Sequence, residues 1–223
     1  SFLVVIASLY MVNVRFLPQK STEPVLSAMK QGFGFISNRP GMKPLILLSF
    51  TITFLGFQIM AFLPPMARQL QGGSTTMAFL SVSSGVGAVT GALIVAAIGR
   101  SRHQGRNSLL ALMVLGLTTT GYAFAPNVPV ACALLFLAGI SLMAVFNMNT
   151  SLVQMLAPDD MRGRVMSVYN LSVRGGQAIG PLVAGSLITN YGLGPRNVIA
   201  GCGVLLLCVG LYLFTFNRRI TEL

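Results

Sequence analysis

A single charged residue stands within the apolar stretches of this chain. Arg174 is the only charge inside six hydrophobic runs that are each long enough to cross a bilayer. A charge at bilayer depth costs about 2.5–3.5 kcal/mol on insertion scales, so it indicates a protected or functional position. Asn170, Gln177 and Pro181 stand at helical spacing from Arg174, so all four share one helix face. A guanidinium flanked by two amides has the chemistry to bind an anionic group.

Two interpretations of Arg174 remain open from the sequence. The residue lies nine positions after Val165, roughly 13 Å along a helix and near the middle of a ~30 Å hydrocarbon core. In the first, its side chain snorkels to the membrane surface or caps the carbonyls of a neighbouring helix. In the second, it lines a wet cavity and binds an anionic ligand group or a carboxylate. The acids of this chain all fall in predicted cytoplasmic segments: Glu23, Asp159, Asp160 and Glu222.

The first apolar run carries a second polar face. Thr51, Phe54, Gln58 and Phe62 stand at i, i+3, i+7 and i+11, which predicts one helix face that mixes polar groups with aromatic rings. Pro64-Pro65 is expected to break this helix near its outer end.

The fourth run contributes a third polar face. Asn147, Ser151 and Gln154 share it, whereas Asn149 points elsewhere. Amides in hydrocarbon need partners, so each one either bonds a neighbouring helix or lines a cavity. The three faces together favour a water-filled path.

A charged loop precedes the fifth run. Asp159 and Asp160 come just before the predicted helix start, where the helix dipole favours negative charge. Arg162 and Arg164 can reach adjacent helix ends. The loop therefore caps and orients the helix, or it acts together with Arg100 as a cytoplasmic gate.

The composition is that of an integral membrane protein. The chain is 54% hydrophobic and 9% charged, against about 25% charged residues in a soluble domain. Residues 1–17 are interpreted as the end of a further span cut at its start, and not as a signal peptide. The six predicted spans are Pro44–Ala67, Ser74–Gly99, Asn107–Ala125, Val128–Ala157, Val165–Tyr191 and Asn197–Asn217.

The basic residues responsible for the net charge of +11 are distributed unevenly among the loops, and their distribution predicts the membrane topology. If the first stretch exits on the cytoplasmic side, the outer loops hold only Arg68 and Arg196, as the positive-inside rule predicts. No loop combines basic clustering with aromatic platforms, so nucleic acid is not an expected partner. This topology places residues 18–43 and the C-terminus in the cytoplasm. The basic residues predicted to be cytoplasmic are Arg15, Lys20, Lys30, Arg39, Lys43, Arg100, Arg102, Arg106, Arg162, Arg164, Arg218 and Arg219.

Residues 18–43 form the longest polar break and are predicted to be a cytoplasmic linker. Thr22-Glu23-Pro24 is typical of a helix start. Val25, Met29, Phe33 and Ile36 then form an apolar stripe, which predicts a short amphipathic helix that ends near 38–41.

Glycines at spacing four predict helix packing. Gly87 and Gly91 lie in the second span, and Gly176 and Gly180 in the fifth. Such ridges let helix backbones approach closely in lipid. Their alternative role is a sliding contact that permits rocking.

Enzyme chemistry has no support in these residues. His103 is alone in a loop, and no metalloprotease, serine-hydrolase or nucleotide-binding motif is present. Cys132, Cys202 and Cys208 lie inside apolar runs without metal-site spacing. We expect no catalytic residue, no metal and no cofactor.

Segments 158–169 (PDDMRGRVMSVY) and 174–181 (RGGQAIGP) resemble the major facilitator superfamily, closest to its enterobactin-exporter and macrolide-efflux-like branch. The resemblance covers essentially the whole chain as a C-terminal half. It implies an all-α membrane protein, in which residues 1–17 end transmembrane helix 6 and residues 44–223 form a six-helix bundle, helices 7–12. The missing N-terminal half would be the partner of this bundle.

The resemblance also implies a function. Such proteins are multi-pass transporters that work by alternating access about a midplane site, here in a cytoplasmic (inner) membrane. Helices 7, 10 and 11 would contribute to a cavity for a small molecule. Its predicted residues are Arg174, Gln58, Asn147, Asn170, Gln177, Thr51 and Phe54.

A further motif bears on the direction of transport. Gly176, Gly180, Pro181 and Gly185 are similar to a glycine-proline motif that family antiporters carry in the equivalent helix of the other half, which favours export of a drug- or siderophore-like substrate. Gly91, Gly99, Arg100 and Arg106 match a family loop motif whose usual acid is absent here. A non-transporting scaffold or receptor on the same fold is the alternative, and a membrane enzyme would need groups from the other half.

Overall fold

The computed structural model describes residues 25–39, 41–70, 73–99 and 103–216. The predicted end of helix 6 at residues 1–17, the first part of the linker, and Arg100 lie outside these ranges.

Every regular element in the described ranges is helical, as the composition predicts. The elements follow the order α1 Val25–Asn38, α2 Met42–Thr51, α3 Gln58–Ala61, α4 Leu63–Gln69, α5 Ser74–Ile98, α6 Gln104–Ala123, α7 Val128–Leu156, α8 Arg162–Tyr191 and α9 Pro195–Phe216.

Within these ranges, four helical stretches are long and apolar enough to cross a membrane: Met42–Ala61, Ser74–Ile98, Val128–Leu156 and Pro195–Thr215. Helices α6 and α8 stand where the other two spans were predicted, with 20 and 30 residues. At about 1.5 Å per residue both are long enough to cross. They are less apolar because α6 carries a run of threonines and α8 carries the Arg174 face.

The first predicted span is not one continuous α-helix. A π-helical turn at Ile52–Gly56 separates α2 from α3, and Phe62 separates α3 from α4. The second break confirms the effect expected of Pro64-Pro65, which are the second and third residues of α4 and lack the N–H groups needed to continue the helix. Neither the residue types nor their spacing predicted the first break.

Glycines set the closest helix contacts in the bundle. A Cβ on Gly87 would meet the carbonyl oxygen of Phe136, and one on Gly91 that of Ile140, so α5 and α7 touch backbone to backbone. Gly116 and Gly203 join α6 to α9 in the same way. Gly87 and Gly91 therefore lie at the closest contact between α5 and α7.

A third glycine ridge joins α8 to the broken first span. A Cβ on Gly176 would lie 3.0 Å from the Phe50 carbonyl oxygen and would overlap the Thr53 hydroxyl. One on Gly180 would lie 2.6 Å from the Phe54 carbonyl oxygen. Gly185, in contrast, has nothing near its Cβ position. The ridge therefore consists of Gly176 and Gly180, and it packs on the π-helical turn.

Helix α1 confirms the predicted short helix and ends at Asn38, before Gly41, whose φ of 97° requires glycine. It docks on α8 through Gly32, whose Cβ position is 2.9 Å from the Arg164 carbonyl oxygen. Ile36 is buried in this contact, but Phe33 is 51% exposed. The packed side thus includes Ile36 of the predicted stripe but not Phe33, and Gly32 allows the two backbones to approach this closely.

Candidate functional site

The polar face of α8 lies on the open side of the bundle. Asn170, Arg174 and Pro181 are exposed, and Gln177 is half-buried. The opposite side of the same helix, through Val173, Gly176 and Gly180, packs against the first span. Helix α8 therefore separates a packed apolar side from an uncovered polar side, as its residue spacing predicts.

The polar groups on this side make no hydrogen bonds to the rest of the described chain. Arg174 has neither an ion pair nor a hydrogen bond there, and the same holds for Asn170 and Gln177. In contrast, the neighbouring Ser172 donates to the Ile46 carbonyl at 3.2 Å. The Arg174 guanidinium and its amides are thus available to water, a ligand or another part of the protein.

The two asparagines of helix α7 lie in different environments. Asn147 is half-buried and makes no hydrogen bond within the described residues. Asn149 is 1% exposed, and its amide donates to the Ser49 hydroxyl and to the Leu45 carbonyl. The predicted difference in direction is confirmed. No hydrogen bond joins Asn147 to the Arg174 face, and α7 and α8 contact each other little.

The predicted face of the first span is not a single face. Thr51 and Phe54 are half-buried, whereas Gln58 and Phe62 are buried. The reason is the intervening π-helical turn, which holds one residue more than an α-helical turn and so rotates later side chains by about 100°. The expectation that these four residues share one face was therefore wrong.

Gln58 is held on the packed side of α8, away from Arg174. Its Nε2 donates to the Phe54 carbonyl at 2.7 Å, and it lies against Gly180. The Thr51 hydroxyl donates a hydrogen bond to the Leu47 carbonyl at 2.9 Å. Phe54 and Gln58 line a cavity of about 250 Å³ between the first span, α8 and α9.

The charged loop contains one ion pair in the described part of the chain. Asp159 and Arg162 lie 2.8 Å apart and are both largely exposed. Asp160 is exposed, and Arg164 donates to the Met161 sulfur at 3.4 Å. Arg162 also lines an open groove of about 390 Å³ with Ser151 and Gln154. The loop thus joins the α8 start to the polar end of α7.

A buried polar cluster was not predicted from the sequence. Tyr169 and Thr150 share a hydrogen bond between α8 and α7, next to the Asn149–Ser49 bond. The hydrogen bond between Tyr169 and Thr150 could not be predicted from the sequence, because a tyrosine among apolar residues is normally interpreted as a core residue. Their partners come from helices that only the fold brings together.

Metal binding has no support in the described ranges, where no group of three His, Cys, Asp or Glu side chains could hold an ion. The described cysteines, Cys132, Cys202 and Cys208, are all free thiols.

Two comparisons with known proteins bear on this arrangement. Residues 1–222 match the family described as transmembrane secretion effector, of the major facilitator type. The chain is also 26% identical, over 202 residues, to the multidrug efflux pump Tap of Mycolicibacterium fortuitum. This match covers 91% of the chain and 49% of the relative. The chain therefore spans about half the length of the relative that it matches.

Proposed function

The chain belongs to the transmembrane secretion effector family of major facilitator transporters, and from this premise we propose that it is the C-terminal half of a secondary active exporter. In this proposal it moves a small molecule across the cytoplasmic membrane by alternating access. The family is a transporter family and not an enzyme family, which agrees with the lack of catalytic motifs.

The observation that carries the proposal is the uncovered polar face of α8. A guanidinium and two amides without protein partners are costly if they face lipid. They are stable if they face a water-filled cavity between two halves of a transporter. We assign Arg174, Asn170, Gln177 and Asn147 to that cavity, with Arg174 as the group that binds an anionic or electron-rich part of the substrate.

The half length of the match supports a two-part assembly. The relative Tap is about twice as long as the matched region, so a second six-helix half is the expected partner of the uncovered face. The relative is described as a multidrug efflux pump, which favours export and a drug-like substrate for this protein also. In the same proposal residues 1–17 end helix 6 and residues 18–43 link the halves.

The charged loop is proposed as the cytoplasmic gate of this transporter. The Asp159–Arg162 pair and the groove lined by Ser151 and Gln154 lie at the same end of the bundle. Exposed ion pairs contribute only about 0–1 kcal/mol. A pair this weak can break and re-form in each transport cycle.

The test is efflux by the full-length protein after substitution of Arg174. Arg174→Ala should reduce efflux of a transported dye at least tenfold at normal expression, and Arg174→Lys should restore part of it. Leu182→Ala is the matched control, because Leu182 is exposed on the same helix but lies off the polar face. Unchanged efflux by Arg174→Ala would remove this residue from the mechanism, whereas a parent protein that exports none of the dyes tested would favour the scaffold or receptor alternative.

A further inference from the structure

The two helices that carry the proposed substrate site contact each other at few places. Asn147 lies on α7, whereas Asn170 and Arg174 lie on α8, and each helix packs mainly on other parts of the bundle. A hydrogen bond between Thr150 of α7 and Tyr169 of α8 joins them directly. The distance and the angle between the two sides of the site therefore depend on this bond.

The bond between Thr150 and Tyr169 has a defined direction. The Thr150 hydroxyl donates to the Phe146 carbonyl at 2.7 Å, which uses its one hydrogen. The Tyr169 hydroxyl is therefore the donor to the Thr150 oxygen. Tyr169 is 2% exposed, so water cannot replace either partner at its hydroxyl. Removal of this hydroxyl would break the bond and leave the aromatic ring in place.

The other contacts of α8 do not tie it to α7. Gly176 and Gly180 set the distance between α8 and the first span, but a glycine has no side chain that interlocks with a neighbour and fixes the rotation of the helix. Ser172 donates to a backbone carbonyl of α2 at 3.2 Å. Tyr169 thus supplies the directional contact with α7, one position before Asn170.

Each partner of this bond is close in sequence to a residue of the proposed site. Tyr169 directly precedes Asn170, and Thr150 follows Asn147 by three residues, which is about one helical turn. We propose that Tyr169 and Thr150 are positioning residues of the substrate site. Their bond holds Asn170 and Arg174 of α8 at a fixed place relative to Asn147 of α7. This assignment rests on the exporter function proposed above.

The first test measures dye transport by the full-length protein in energised, everted membrane vesicles, where the dye concentration at the cytoplasmic face is known. Tyr169→Phe should raise the half-saturating concentration about threefold, as expected from one interhelical hydrogen bond in a membrane. The maximal rate per folded molecule should stay close to that of the parent protein. A purely structural role predicts fewer folded molecules, with an unchanged half-saturating concentration for those that remain.

Thr150 provides the reciprocal test. Thr150→Val should raise the half-saturating concentration as Tyr169→Phe does. The double variant should be no worse than either single variant, because all three lack the same bond. Thr150→Ser keeps the hydroxyl and should restore the half-saturating concentration of the parent protein.

Two control variants remove comparable groups elsewhere. Tyr122→Phe removes a buried hydroxyl that has no hydrogen-bond partner in the described part of the chain. Thr118→Val removes a hydroxyl that donates to a carbonyl of its own helix, as Thr150 also does. Both variants should have the half-saturating concentration of the parent protein.

The second test does not depend on transport. In a cysteine-free background, a water-soluble maleimide should react faster with Asn170→Cys than with Leu171→Cys, which is exposed but lies off the polar face. Tyr169→Phe should lower this ratio of rates about threefold, because α8 can then turn.

An unchanged half-saturating concentration in Tyr169→Phe would overturn the positioning role, and so would an unchanged ratio of rates. If Arg174→Ala loses efflux while Tyr169→Phe behaves like the parent protein, the positioning role fails and the exporter proposal stands. If the parent protein exports no dye, the exporter proposal fails, and the ratio of rates alone decides whether this bond sets the angle of α8.

Discussion

The side-chain amide of Asn149 donates a hydrogen bond to the hydroxyl of Ser49 at 2.6 Å, which ties α7 to α2 across 100 residues of sequence. The same amide also reaches the Leu45 carbonyl at 3.2 Å. Ser49 in turn donates to the Leu45 carbonyl at 2.8 Å. Two residues earlier on α7, Asn147 has no such bond in the described chain. One asparagine thus holds two helices together, and the other makes no hydrogen bond within the described residues.

Asn149→Ala should lower the free energy of unfolding by about 1–2 kcal/mol, because it removes two interhelical hydrogen bonds in an apolar setting. Asn147→Ala is the matched control and should change stability by less than about 0.5 kcal/mol. Reversible unfolding in mixed detergent micelles measures both. Efflux should respond in the opposite order, with Asn147→Ala impaired at full stability. Equal destabilisation by the two variants would contradict the distinction.

Gly176→Ala should destabilise the protein by about 1–3 kcal/mol, since its Cβ would overlap the Thr53 hydroxyl and force α8 from the first span. The adjacent Gly175 has open space at its Cβ position. Gly175→Ala should therefore be neutral, or stabilising by up to about 1 kcal/mol through helix propensity. Melting temperatures of the two purified variants give the comparison. A neutral Gly176→Ala would show that the two helices do not pack this closely.

Asp159→Asn should leave stability within about 0.5 kcal/mol of the parent protein, because Asp159 is 89% exposed in its pair with Arg162. If the pair acts as a gate, efflux by this variant should fall several-fold at unchanged melting temperature. Asp160→Asn is the control, because Asp160 has no ion pair with any described residue. Efflux by Asp159→Asn at the level of the parent protein would leave the pair with only a capping role.

The predicted orientation can be checked with single cysteines in a background where Cys132, Cys202 and Cys208 are replaced by alanine. Gln69→Cys and Asp160→Cys place exposed thiols at opposite ends of the bundle. A membrane-impermeant maleimide should label Gln69→Cys in intact cells and Asp160→Cys only after permeabilisation, as the distribution of arginines predicts. The reverse pattern would invert the assigned topology.

Helix positions were largely readable from the sequence. The predictions Ser74–Gly99 and Val128–Ala157 fall within one residue of α5 and α7. Long apolar runs bounded by turn residues determine such elements, because every backbone group of a membrane span must bond within its own helix. The face of α8 was readable for the same reason, since a regular helix fixes which residues share a side.

The arrangement around Gln58 was not readable. The prediction that Gln58 shares a face with Thr51 and Phe54 assumed an unbroken α-helix. The residue types from Ile52 to Gly56 do not predict a π-helical turn. The Tyr169–Thr150 bond was equally hidden, because it depends on how α7 and α8 are placed. Sequence periodicity describes one helix at a time, and these features arise between helices.

The π-helical turn at Ile52–Gly56 has a consequence for related sequences. Deletion of one codon within it would restore ordinary α-helical pairing, and Gln58 would swing by about 100° away from Gly180. A single insertion or deletion event could thus exchange the side chain presented to α8. Paralogues that differ in length by one residue at this point should differ in which side chain packs against Gly180, even where every other residue of the contact is the same.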